Sequence, residues 1–335
     1  MKILVVGDKH LSINRFELSL KYLAWLESII ITNNYDAIVY LGDDMNTHAI
    51  LRSELLNEYK AHIQRITQRC LIYYIVGNHD CYKSNSMKYH AFQTLKDIHN
   101  FYVIDEVTHF DDITFVPYLY DHTQFPTQTA RICFAHQTFL GADFGYIRPE
   151  VGVMAEAVSA DIIISGHVHK RQTVGKVVYP GSAYAVDMRD IDEFKGVMEF
   201  DTETYKYSFI EAPFSLWKNI HIALGTGTET WKAINTIRDF LNTEDHWVIN
   251  ITGWKAEVGA FFASGEVKEA LRDVKYKVNP TFLDKEKKLI QIKSSKFSDI
   301  IVEYIDRIYN GSMDKDLLKK RALSILKSVG ENNGR

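Results

Sequence analysis

Short apolar runs, each about the length of one strand, recur through residues 1–182. Lys2–Val6 runs into Gly7-Asp8-Lys9-His10, and Ala37–Leu41 into Gly42-Asp43-Asp44-Met45-Asn46. Leu71–Val76 stops at Gly77-Asn78-His79-Asp80. Arg131–Ala135 ends in His136, Asp161–Ser165 in Gly166-His167-Val168-His169, and Val177–Tyr179 in Pro180-Gly181-Ser182. Runs without polar alternation read as strands buried on both faces. Between them, residues 14–33 carry an apolar stripe at helical spacing (Phe16, Leu20, Leu23, Ile30), and helices are predicted at 47–69 and 86–99. Strand, helix, strand, helix is the rhythm of a layered α/β domain. Residues 101–104 and 113–117 are predicted strands that deliver no ligand residues.

The pattern continues past the motifs, with strands at 196–200 and 207–210 completing a sandwich. Then come a strand at 219–224, a helix at 229–241, a strand at 246–252, a helix at 258–272 and a strand at 274–278, a compact α+β cap. A short strand is predicted at 289–292. Two amphipathic helices close the sequence. Phe297, Ile300, Ile301, Tyr304, Ile305 and Ile308 form one stripe, Leu318, Ala322, Ile325 and Val329 the other, with Asn310-Gly311 as the break. The expected division is a catalytic domain over 1–213, a cap over 214–282, and a linker with helical hairpin over 283–335. A charged hairpin after a complete domain commonly docks on a partner, or packs back on its own domain.

Composition places the chain among soluble globular proteins: 335 residues, 46% hydrophobic and 24% charged. No apolar run approaches the roughly 18–20 residues of a membrane span. The start lacks a signal-peptide pattern and goes straight into a strand. Three cysteines, Cys70, Cys81 and Cys133, without a CxxC pair, favour reduced thiols and a cytoplasmic setting. Net charge is −4. Residues 275–328 hold thirteen Lys or Arg against seven Asp or Glu, a balance of +6, which leaves −10 for the remainder. An acidic front suits a metal site, and a basic end suits phosphate contact or simply a solvated helix surface.

The chemistry lies in the residues that end the strands, because ligands in open α/β sheets gather beyond the carboxyl ends. Asp8 and His10, two apart, fall on one side of an extended chain. Asp43 follows its strand glycine as Asp8 does, and its two oxygens can bridge two cations. Asn46 would support Asp43 or its loop, and Asp44 reads as a turn or cap residue. Asn78-His79-Asp80 alone would read as a turn with a helix cap. With His136, His167 and His169, however, the candidates reach seven: Asp8, His10, Asp43, Asn78, His136, His167 and His169. One bridging carboxylate and three private ligands for each of two metals uses them all. Mixed His, Asp and Asn donors suit manganese, iron or zinc rather than magnesium or calcium alone. Two such ions about 3.5–4 Å apart serve in-line attack on phosphorus. His79 is left over, suited to protonating the leaving oxygen or stabilising charge, with Asp80 placed to orient it. The remaining histidines His90, His99, His109 and His122 read as surface or packing residues.

The ordered set GDxH, GDxxN, GNHD, a lone His and GHxH resembles the calcineurin-like metallophosphoesterases. That resemblance implies a four-layer α/β/β/α sandwich. It implies one metal held by Asp8, His10, Asp43 and His169, and a second held by Asp43, Asn78, His136 and His167. Ala135 stands before the lone histidine where many members have glycine. The layout of core, cap and terminal helix pair resembles the SbcD-type DNA-repair nuclease subunits and their phage recombination counterparts. This second resemblance is architectural past the motifs. It implies DNA as substrate, exonuclease or endonuclease action, and two divalent ions with Mn2+ first and Mg2+, Fe2+ or Zn2+ open. It also implies a coiled-coil ABC-type ATPase bound through residues 297–329, and a homodimer through helices near 47–69 and 86–99. For a phage-encoded chain the setting would be the host cytoplasm. The competing enzyme reading is a small-molecule phosphodiesterase or phosphatase of the same superfamily. A metal-stabilised scaffold that only anchors an ATPase would not need His79 and a full ligand set.

Overall fold

The structure is a computed structural model. It describes all residues except 47, 49–50, 84–85, 146, 187–189, 192, 215–216, 225–232, 236, 238–245, 284–301, 303–304, 307–313 and 333–335. Two compact units emerge, Met1–Thr281 and Phe282–Arg335. Among the described residues no helix is long and apolar enough to cross a membrane. Cys70, Cys81 and Cys133 are all buried and free.

The fold of the first unit is α/β, organised around two sheets of six strands. In chain order the strands are β1 (Lys2–Val6), β2 (Ala37–Tyr40), β3 (Leu71–Ile75), β4 (Cys81–Lys83), β5 (Ser86–His90), β6 (Phe101–Ile104), β7 (Thr108–Phe110), β8 (Ile113–Val116) and β9 (Ile132–His136). They continue with β10 (Ile162–Gly166), β11 (Gln172–Val174), β12 (Val177–Tyr179), β13 (Gly196–Asp201), β14 (Tyr207–Glu211), β15 (Trp217–Ala223), β16 (His246–Gly253) and β17 (Lys275–Phe282). The first sheet runs β14-β13-β1-β2-β3-β6, the second β11-β12-β10-β9-β8-β7. In both, the inner pairs are parallel and antiparallel strands appear only at the margins. Parallel inner strands bring their carboxyl ends to one side of each sheet, which is where the motif residues lie.

The two sheets bury a shared layer that includes Ile3, Val5, Val39, Leu41, Ile75, Phe115, Phe134, Ile164 and Met198. The uninterrupted apolar runs are explained by their other faces. Leu4, Val6, Ile38, Tyr40, Ile72 and Tyr74 pack beneath α1 (Phe16–Thr32) and α2 (Ser53–Ile66), against Tyr22, Leu23, Leu26, Tyr59 and Ile63. Over the second sheet the outer layer is made of loops and short 3-10 turns carrying Phe125, Phe139, Val153, Ala155 and Val158. Pro117, Pro126, Pro149 and the glycines between them deny that stretch a long helix.

Several expectations are corrected. Residues 86–99, read as a helix, form the β4–β5 hairpin and a 3-10 turn at Gln93–Leu95. The hairpin follows directly on the Asp80 loop, and Ala91 N donates to Asp80 O at 2.8 Å, so the chain returns at once instead of coiling. The helix expected at 47–69 is described from Ser53 to Ile66. Asp44 is not a turn or cap residue. It is wholly buried, 2.6 Å from Lys9 Nζ, and accepts a second bond from the Tyr59 hydroxyl. Lys9 Nζ also sits 3.3 Å from the centre of the Tyr40 ring.

The third sheet, ordered β15-β16-β17, is covered by the helices Lys255–Ala263 and Gly265–Ala270. Ile220, Ile222, Trp247, Ile249, Val258, Phe261 and Val267 give this part a core of its own. A single helix over 258–272 was expected. It breaks at Ser264, whose extended backbone (ψ 142°) and Oγ, 3.1 Å from Val267 N, start a new helix. The helix expected at 229–241 is described only at 233–235 and 237, and the strand at 289–292 lies outside the described residues. Of the stripe Phe297–Ile308, Ile305 alone is described and buried. The last helix spans Lys315–Asn332 with Leu318 and Ala322 half-buried.

Breaking a buried ion pair by removing one partner costs far more than removing both. Lys9→Met is therefore expected to destabilise the fold by about 3–5 kcal/mol, whereas Lys9→Met with Asp44→Leu recovers most of that loss. Urea unfolding of the two variants checks it, and a loss from Lys9→Met no larger than that of the double variant would rule it out.

Candidate metal centre

Each motif residue is set by the loop that ends its strand, and these loops interlock. His10 N donates to Asp43 O at 2.9 Å, and His79 N donates to Asp43 Oδ1 at 2.7 Å. His167 N donates to the Asp8 carboxylate at 3.0 and 3.2 Å. The two sheets are joined by His136, whose Nδ1 donates to Leu41 O at 2.6 Å. The approach is close enough to require glycine: a Cβ on Gly77 would stand 2.2 Å from Asp43 Oδ1, and one on Gly7 would stand 2.0 Å from Gly181 O. His10 (φ 43°), Asp43 (φ 52°) and His167 (φ 78°) adopt left-handed backbone without being glycine. Such residues cost on the order of 1–3 kcal/mol each, and they persist where surrounding bonds over-determine them.

Two clusters result. Asp8, His10 and His169 bring ligand atoms within 4.8 Å of one another, and so do Asp43, His136 and His167. His10 Nε2 lies 2.9 Å from His169 Nε2. Asn78 Oδ1 is 3.1 Å from His136 Nε2, which places Asn78 with the second cluster. Asp43 spans the two, its Oδ2 lying 3.3 Å from His136 Nε2 and 4.0 Å from His10 Nε2. All seven candidate ligands are therefore gathered in one place. Both carboxylates are essentially buried, yet no lysine or arginine pairs with either among the described residues: Lys9 serves Asp44, and Lys195 serves Asp190. Buried anions surrounded only by neutral-capable imidazoles form a donor set that fits divalent cations.

The electrostatics show the same competition. Burial resists ionisation of Asp43, but the adjoining His136, followed by His10 and His79, holds its carboxyl well below the usual range. Burial lowers His136 too, and Asp43 and Asp8 outweigh it, raising the imidazole to about 9. His167, buried and beside His136, falls to about 3. Burial chiefly, with His169 alongside, drives His10 down as well.

His79 stands at the mouth. Its ring meets His10 edge-on with centroids 4.9 Å apart, and its Nδ1 has no hydrogen-bond partner. Asp80 was expected to orient this imidazole, and it does not. Its Oδ2 accepts from Asp43 N at 2.9 Å, Gly77 N at 2.8 Å and the Tyr74 hydroxyl at 2.5 Å. Asp80 thus ties the second and third loops together from beneath. Burial, then the Asp43 and Asp44 carboxylates, push its pKa up to about 8. Asn46 was read as support for the Asp43 loop, and its backbone N–H joins that loop to Leu11 O at 3.1 Å.

Sequence reasoning missed four contributors. His48 stacks on His79 with centroids 4.6 Å apart and planes 20° from parallel. Tyr118 tilts against His167 at 5.5 Å. Asp190 lies 3.9 Å from His169 Nδ1, and Lys195 Nζ donates both to His169 O at 2.7 Å and to Asp190 at 2.8 Å. None sits in a strand-end motif, so only the folded chain brings them in. With Phe144, Lys170 and Glu193 the site forms a cleft of about 190 Å³.

This arrangement, two His/Asp clusters at the carboxyl ends of a double-sheet sandwich, defines a metallophosphoesterase. Residues 1–171 match the calcineurin-like phosphoesterase family model, and the chain belongs to that family. Over 201 residues it is 32% identical to putative phosphoesterase 244L of Invertebrate iridescent virus 6, covering 54% of this chain and 69% of the relative. Over 203 residues it is 28% identical to putative phosphoesterase 078R of Invertebrate iridescent virus 3, covering 55% and 57%. Over 250 residues it is 24% identical to exonuclease subunit 1 of Enterobacteria phage T4, covering 66% and 70%.

If Asp43 is shared between the clusters, Asp43→Ala should lose both ions. Calorimetric titration with Mn2+ should show two sites in the wild type and neither in the variant, and two near-normal sites in the variant would remove the bridging role.

Proposed function

We propose that this protein is a metal-dependent DNA nuclease that works with a coiled-coil ATPase partner in processing DNA ends. The observation that carries the DNA reading over a small-molecule phosphatase is the likeness to exonuclease subunit 1 of phage T4. It covers 66% of this chain, more than the catalytic family match over residues 1–171 does.

Asp8, His10, Asp43 and His169 would hold one divalent ion, and Asp43, Asn78, His136 and His167 the other. Bound there, such ions would acidify a water and offset phosphoryl charge, with manganese the first choice. Hydrolysis adds the water oxygen to phosphorus and breaks the bond to the leaving oxygen, which needs a proton. His79 is the residue placed to give it. Burial lowers the pKa of the free imidazole, with Asp43 pulling the other way. A phosphodiester anion beside the ring favours its protonated form. Asp80 keeps the His79 loop in position through Gly77 N and Asp43 N.

Self-association through a pair of helices at 47–69 and 86–99 is not proposed, since the second segment is a hairpin strand and a 3-10 turn rather than a helix. The ATPase reading places the partner on residues 297–329, within the separate unit Phe282–Arg335.

End-labelled duplex incubated with Mn2+, with and without the ATPase, tests the reading. His79→Ala should keep both ions by calorimetry while cleavage falls about a hundredfold, the scale of a lost general acid. A metal lost in that variant would make His79 a ligand instead. Removing all residues after Lys296 should leave Mn2+-dependent cleavage of short single strands intact and abolish co-purification with the ATPase. Equal capture of full-length and truncated protein would defeat the docking assignment.

A further inference from the structure

We infer that the β4–β5 hairpin is a stacking platform for unpaired nucleic-acid bases, with its two lysines on the adjoining phosphates. The inference rests on the nuclease reading and adds the place where the strand is held.

The hairpin begins one residue after Asp80 and is anchored at its base. Cys81 and His90 pair across it and are buried, Cys81 Sγ donates to Gly77 O at 3.4 Å, and Ala91 N donates to Asp80 O at 2.8 Å. Tyr82 is three residues from His79, so about 10 Å of extended chain at most separates their Cα atoms. Beyond the anchored base the hairpin turns outward. Tyr82 is 62% exposed and Tyr89 57%, so both rings stand largely in solvent. Each carries a lysine over its ring: Lys83 Nζ lies 5.6 Å from the centre of Tyr82, and Lys88 Nζ lies 5.1 Å from the centre of Tyr89.

Residues 81–90 contain these two lysines and no acidic residue. In a chain of net charge −4, a hairpin with two exposed cations and two exposed rings has the charge of a polyanion's partner, not of a hydrophobic seam. Tyrosine faces accept any base, and flanking cations track the backbone, which is the pattern of sequence-tolerant single-strand binding. Tyr82 and Tyr89 also border a groove of about 470 Å³ with Leu51, Leu56, Ala91 and Thr94, which gives a base an apolar wall to lie against. The ligand is therefore a single strand, or the frayed end of a duplex, passing from this hairpin towards the cleft.

The test uses the full chain and a fluorescent oligothymidylate. Tyr82→Ala with Tyr89→Ala should weaken binding at least about tenfold, the scale of losing a stacked base. The phenylalanine pair should bind like the wild type. Lys83→Gln with Lys88→Gln should make the salt dependence shallower by about 1.4 in log–log slope, for two single-strand phosphate contacts. Hydrolysis of bis-p-nitrophenyl phosphate should not change in any of them. Alanine variants that bind within twofold of wild type would overturn the platform. So would variants that turn a dimer into a monomer by sedimentation with affinity per subunit unchanged, since the hairpin would then be a seam between two copies. Wild type that hydrolyses the small diester and binds no oligonucleotide defeats the nuclease reading itself. Wild type that cleaves DNA beside alanine variants that bind equally well defeats the hairpin alone.

Discussion

Two buried carboxylates without a fixed cation are the constraint from which the rest of this structure follows. Asp8 and Asp43 are 0% and 2% exposed, and the nearest groups able to carry positive charge are imidazoles. Taking an anion out of water costs several kcal/mol unless it is paired. The fold has lysines that it could have spent here. It spends Lys9, which lies between Asp8 and His10, on Asp44, and Lys195 on Asp190, which is 3.9 Å from His169 Nδ1. The site is thus kept free of a permanent counter-ion while its surroundings are neutralised. That is the condition under which exchangeable divalent ions become the natural partners.

Holding such a site open requires rigid walls, and the walls are loops. Strand ends alone would not fix them. Asp80 accepts from Asp43 N and Gly77 N, Asp8 accepts from His167 N, and Asp43 accepts from His79 N. Each carboxylate therefore grips the backbone of a loop other than its own, and Asp80 also holds the glycine three residues before it. The strained left-handed conformations at His10, Asp43 and His167 are kept by these grips. The same bonds explain why glycine recurs at the strand ends: the loops meet at backbone distance, and a side chain at Gly7 or Gly77 would occupy the space of an atom already there.

Much of this was legible because it is local. An unbroken apolar run followed by glycine and a ligand residue specifies both the strand and the end at which it delivers its side chain; β1, β2, β3 and β10 carry that signature, and β9 runs through Ala135 directly into His136. What stayed hidden depends on partners far apart in the chain. Nothing near Asp44 shows that Lys9, 35 residues earlier, ends beside it. Asp80 looked like an orienting residue because it adjoins His79, whereas its partners are backbone groups that only folding brings near. Residues 86–90, the second strand of the hairpin, fall within the helix expected at 86–99 because Met87, Tyr89 and their neighbours suit either element. Periodicity is weak evidence over so few residues. Ser264 likewise hides its break inside a stretch with good helical pattern on both sides.

The cleft itself is small, about 190 Å³, and lined by groups that suit any phosphoester. Its surroundings are tied to it through Asp190. That residue lies beside His169 and accepts from Lys195, while the next residue, Ile191, bridges in parallel to Trp217, the first residue of the cap sheet. The cap is thus linked to a metal-site histidine through a single backbone step and one buried ion pair. Lys195, donating to both His169 O and Asp190, fixes these two groups relative to each other.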